Sequence, residues 1–142
     1  MGADKMQDFF KEMYSTHDKV KKINERIEKL YQSAIYISPA ISDIPKGQSN
    51  PKRIEDTIIE IEDLKSFCEQ VLRKRARFDL FTCELNTIQE NILSMRCELC
   101  LEWKEIASDT CMSVSSVQRI FKSVCCLAIE SGLISRKSEY TR

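Results

Sequence analysis

Trp103-Lys104-Glu105-Ile106-Ala107-Ser108-Asp109, then Thr110-Cys111-Met112-Ser113, then Val114-Ser115-Ser116-Val117-Gln118-Arg119-Ile120-Phe121 is the stretch on which the fold turns. Its apolar spacing predicts a short helix from about Trp103 to Asp109 and a longer one from Val114 to about Ile129. Ala107 is small enough to let two helices approach, Cys111 and Met112 fill the turn, and Val117 with Ile120 close a core. Ser113 is a good N-cap for the second helix. Upstream, Leu85 to about Cys97 reads as a third helix, and Gly132 ends the series. Connections of a few residues force such pieces to pack at steep angles.

Working back toward the N-terminus, the period lengthens. Met6, Met13, Val20, Ile27 and Ala34 recur every seventh residue, with Phe9, Ile23 and Leu30 three places after the first, third and fourth. This is a heptad seam. A second seam runs through Ile54, Ile58, Ile61, Leu64, Cys68, Val71 and Phe78, with acids and lysines on its solvated side. The breakers between them, Ser38-Pro39 and Pro45-Lys46-Gly47-Gln48-Ser49-Asn50-Pro51, predict a loop near 38–51, with Asn50 as N-cap and Pro51 as a first-turn proline. The expectation is all-α: a long antiparallel helical hairpin over 1–81, a three-helix domain over 82–132 and a tail over 133–142. A narrow seam is usually completed by another helix or another copy, so a homo-oligomer is expected, unless the C-terminal domain covers it.

Three glycines and three prolines leave few breakers, which agrees with helix throughout. The seven cysteines do not follow a secretory signal, because Met1 to Lys11 has no apolar core, and cytosolic thiols are expected. No run approaches membrane-spanning length, so no membrane partner is expected. The formal charge is zero, with fifteen basic against fourteen acidic residues up to Phe81 and seven against eight beyond it. Charge alone therefore does not announce a nucleic-acid partner. Arg73, Lys74, Arg75 and Arg77 form a local basic run that suits either the solvated end of a helix or contact with phosphates.

Ile92-Leu93-Ser94-Met95-Arg96, Trp103-Lys104-Glu105-Ile106-Ala107 and Met112-Ser113-Val114-Ser115-Ser116-Val117-Gln118-Arg119-Ile120 together resemble region 4 of sigma-70-type factors in order and spacing. With the hairpin and its loop, the chain is similar to small sigma-like helix-turn-helix regulators encoded by phages and prophages of Gram-positive bacteria, to which the ArpU-type late regulators are related. The resemblance implies a transcriptional regulator that binds double-stranded DNA, with RNA polymerase as a further candidate partner. It also implies that Val114, Ser115, Gln118 and Arg119 face base edges in the major groove, where Gln suits adenine, Arg guanine and Val a thymine methyl. Lys104 and Lys122 would hold phosphates, joined by Arg73, Lys74, Arg75 and Arg77. Three positions depart from the pattern. Cys100 and Cys111 stand where glycine or asparagine is usual in the two turns, at a cost of about 1–2 kcal/mol for a left-handed residue with a side chain. Glu102 stands where serine often caps, although Glu105 still suits the helix N-terminus.

Other chemistries are weaker. Cys97 and Cys100 form a C-x-x-C, but Cys111, Cys125 and Cys126 lack the spacing of a second zinc-binding half, and one of the adjacent pair should face a core. His17 is distant in sequence from the cysteine-rich end, and no Gly-rich phosphate loop is present, so neither an enzyme, a cofactor, a metal site nor a small-molecule substrate is expected. Two further classes stay open. One is a phage DNA-packaging protein of the small-terminase kind. The other is a helical adaptor that does not bind DNA.

Overall fold

The computed structural model describes residues 2–40 and 51–134, which form helices joined by short turns, with no strand among them. The helices are α1 (Gly2–Tyr14), α2 (Thr16–Ala40), α3 (Pro51–Cys83), α4 (Thr87–Leu93), α5 (Trp103–Thr110) and α6 (Val114–Glu130), with a π-helical turn at Ser94–Glu98. Most of the loop expected near 38–51, the Asn50 cap and the tail from 135 lie outside the described residues. No single described helix is long and apolar enough to cross a membrane.

The chain forms two compact units, one from Met1–Thr16 with Lys74–Arg142 and one from His17–Arg73. The heptad seam predicted from Met6 to Ala34 does not run along one helix. It breaks at Ser15, where Ser15 Oγ donates to Lys11 O at 2.6 Å and Thr16 Oγ1 donates to Met13 O at 2.7 Å. Hydroxyls that bond back to the previous turn compete with the helix ladder and bend it. Met6, Phe10 and Met13, one face of α1, are buried in the core of the first unit.

That core is aromatic at its centre. Phe10 is fully buried and its ring lies 6.0 Å from Phe78, 6.4 Å from Phe81 and 6.3 Å from Phe121. Around it pack Ile92, Leu93, Ile106, Val117, Val124 and Ala128 from α4, α5 and α6, each without solvent exposure.

In the second unit, Ile23, Ile61 and Val71 are buried, while Val20, Ile27, Leu30, Ala34, Ile54, Leu64 and Cys68 are half-buried. Ile58 departs from the predicted seam at 51% exposure. At roughly 100° per residue it lies about 60° around α3 from Ile61, on the side away from Val71. Contacts between α2 and α3 include Arg26 Nη2 with Glu60 Oε2 at 3.1 Å and Lys65 Nζ with Tyr31 OH at 2.8 Å. Both pairs are exposed and contribute little to stability.

Candidate nucleic-acid interface

Helix α4 starts at a reciprocal cap that the sequence reading missed by placing the start at Leu85. The Gln89 amide donates to Asn86 Oδ1 at 2.8 Å, and the Asn86 amide donates to Gln89 Oε1 at 3.1 Å. The signal was present as Asn-x-x-Gln before Ile92 and Leu93. The helix then widens into the π turn, where Leu99 N–H reaches Ser94 O at 3.0 Å, and the chain reverses at Cys100 with φ +57°. A residue overlooked as functional, Arg96, locks this corner. Its guanidinium donates to Leu101 O at 2.9 Å and Gln7 Oε1 at 3.2 Å and lies 4.2 Å from the centre of the Trp103 ring. Trp103 in turn meets Phe121 edge to face at 5.3 Å, which ties the start of α5 to α6.

Helix α5 is bounded as expected at both ends. Glu102 N–H donates to Glu105 Oε1 at 3.1 Å, so the Glu105 side chain satisfies the amide at the start of the helix. Cys111 closes the helix in the left-handed region, φ +57° and ψ +38°, and Met112 N–H reaches back to Ala107 O at 3.0 Å. Ser113 then caps α6, its Oγ accepting from Ser116 N–H at 3.2 Å. Helices α5 and α6 meet at a bend of 101°. Ala107 and Val117 are buried at this elbow, and Ile120 is half-buried.

The residues expected to read bases divide. Ser115, Gln118 and Arg119 are exposed, as is Lys122, and at 100° per residue all four fall on one face of α6. Val114 does not join them, because it lies at the core's edge, half-buried and packed against the buried cluster. Cys126, one turn beyond Lys122, is exposed on the same face, while its neighbour Cys125 is buried. Lys104 is exposed near the start of α5. Among the described residues, Lys104, Gln118, Arg119 and Lys122 make no intramolecular ion pair or side-chain hydrogen bond.

The basic run of α3 is not one patch. Arg73, Lys74 and Arg77 are exposed, with Arg73 4.0 Å from Glu69. Arg75 is half-buried and committed to the protein. Its guanidinium donates to Asp79 Oδ1 at 2.8 Å and to Met13 O at 2.6 Å, which satisfies the end of α1. A phosphate would have to displace both bonds.

The C-x-x-C does not present two thiols together, since Cys97 is buried and Cys100 exposed. Burial, with Cys125 nearby, pushes the Cys97 thiol up to about 12, and burial does the same to Cys125. Such thiols stay protonated near neutrality, unlike an activated nucleophile. Among the described residues no group of three or more His, Cys, Asp or Glu side chains gathers. No family model matches the chain, and no curated protein or solved structure matches it.

Proposed function

We propose that the chain is a sequence-specific double-stranded DNA-binding regulator of transcription, of the phage and prophage sigma-region-4-like kind, and not an enzyme. In this reading α2 and α3 form a hairpin arm, and α4 to α6 form a helix-turn-helix domain whose last helix enters the major groove. The observation that carries it is the row Ser115, Gln118, Arg119 and Lys122 on the exposed face of a capped helix, set at 101° to the helix before it. That bend lies within the roughly 90–120° of helix-turn-helix pairs. Gln118 and Arg119 carry the side-chain amide and fork that pair with purines, and Lys122 supplies a cation for a phosphate. RNA polymerase is the second partner of this reading.

One observation favours an adaptor that binds protein alone, namely the seven basic against eight acidic residues beyond Phe81. Duplexes selected from a random pool separate the two. Arg119→Ala costs about 1–3 kcal/mol on the selected site and relaxes preference at one base pair. Lys122→Ala weakens all duplexes alike and lowers the salt slope by about one. If both folded variants bind as the parent does, the groove assignment fails and the adaptor replaces it.

A further inference from the structure

Beside the elbow, the first unit carries a second surface that DNA reading does not use. A groove of about 270 Å³ is lined by Phe81, Glu84, Leu85, Leu127, Glu130 and Ser131. Its floor is apolar and its rim carries two carboxylates. A cavity of about 150 Å³ already holds a benzene ring, so a leucine side chain fits such a space. Next to it on α3 stands Leu80, 69% exposed, with Ala76 and Arg77 exposed one turn earlier. Among the described residues neither Arg77, Glu84 nor Glu130 has an ion-pair partner.

These parts form a self-complementary pattern. Along α3 the row Arg77, Leu80, Glu84 runs from cation through apolar to anion, and Glu84 N–H still bonds Phe81 O at 3.0 Å, continuing the turn. A two-fold axis running beside α3, perpendicular to it and level with the step from Leu80 to Phe81, sets Arg77 of one copy against Glu84 of the other, and Leu80 against Phe81. A parallel arrangement would set like charges together. Two-fold contacts use one patch twice, so a patch bearing its own complement is what such an interface requires.

We infer that this face docks a second copy of the chain, each Leu80 entering the partner's Phe81–Leu85–Leu127 groove while each Arg77 meets the partner's Glu84 and Glu130. The contact lies past the end of the proposed DNA face, because Leu127 and Glu130 follow its last residue, Lys122, by five and eight residues, about 7 and 12 Å along α6. It does not depend on DNA binding and stands or falls separately from it.

The test uses the full chain, with and without the arm substitution Ile27→Asp, so that association through the arm is subtracted. In sedimentation equilibrium, Leu80→Asp and Arg77→Glu each raise the dimer dissociation constant by roughly tenfold or more, as loss of a central anchor does. The combined variant Arg77→Glu, Glu84→Lys, Glu130→Lys restores association, because its pattern is inverted but still complementary. A photoreactive benzoylphenylalanine at position 80 adds a measurement that tolerates a misfolded charge variant. Cross-links to another copy's Phe81–Leu85 or Leu127 peptides support the proposal. Cross-links that are absent, that stay within one chain including residues 135–142, or that end on His17–Arg73 overturn it.

Discussion

Replacing Cys111 by glycine should stabilise the protein, against the usual penalty for glycine. Cys111 sits at φ +57° and ψ +38°, and its side chain is exposed without a hydrogen bond among the described residues. A left-handed residue with a Cβ costs about 1–2 kcal/mol, which glycine removes. Against this stands about 0.5–1 kcal/mol for the greater freedom of glycine in the unfolded chain. The two ranges leave a net gain of up to about 1.5 kcal/mol, with about 0.8 kcal/mol at their midpoints, or roughly 2 °C in Tm for a chain of this size. Calorimetry of three variants isolates the cause. Cys111→Gly rises, Cys111→Val falls because a β-branched residue tolerates positive φ worst, and Cys126→Gly falls by a few tenths of a kcal/mol in the exposed middle of α6. If Cys111→Gly melts at or below the parent while Cys126→Gly behaves as stated, the left-handed closure of α5 is wrong.

Other outcomes follow from the core. Phe10→Ala, which empties a fully buried site against Phe78, Phe81 and Phe121, should cost about 3–5 kcal/mol in urea unfolding, and a loss under about 1 kcal/mol would mean that α1 does not complete the unit. A disulfide reagent in native buffer should modify Cys83, Cys100, Cys111 and Cys126 first and leave Cys97 and Cys125 until unfolding, and early labelling of the buried pair would contradict their burial. Because both buried thiols titrate near 12 when folded and near 9 when unfolded, the unfolded chain loses their protons first as pH rises. Their contribution is intact below about 9 and is lost between about 9 and about 12, and rising stability across that range would refute it.

What the sequence disclosed depended on how local its cause was. The starts of α5 and α6 follow from Trp103 after Glu102 and Val114 after Ser113, and the ends of both turns were marked as Cys100 and Cys111, where the structure has positive φ. These are effects of a few neighbouring residues. The place of α1 was not legible, since Met6, Met13, Val20 and Ile27 keep a seven-residue period across Ser15, and periodicity cannot say which partner a stripe meets. Only the back-bonding of Ser15 and Thr16 divides it. The same blindness affected the site. A run of four cations in α3 looks uniform as text, yet the fold commits Arg75 to Asp79 and Met13 and leaves Lys74 and Arg77 in solvent. Val114 looked like a reading residue from its position at the helix start, and the elbow draws it against the core.

The charge distribution constrains how the proposed DNA binding would work. Lys104 and Lys122 are the cations on α5 and α6 that carry the phosphate role, beside Arg119 assigned to a base. Each neutralised phosphate contributes about −0.9 to the slope of log affinity against log salt, so two give roughly −2 for one helix-turn-helix. That is a small electrostatic term, and glutamates at 102 and 105 close to Lys104 weaken it further. A single copy should therefore hold DNA poorly, and most of its discrimination must come from the purine contacts of Gln118 and Arg119. Two copies on adjacent half-sites double the slope to roughly −4 and add their base contacts. Titration of the selected duplex across salt, for the parent and for Leu80→Asp, reads this directly. A parent slope near −4 that falls to about −2 in the variant supports a paired reader. A steep slope of −6 or beyond in the variant would mean that other cations, with Lys74 and Arg77 the exposed ones closest in sequence to Leu80, carry the binding instead.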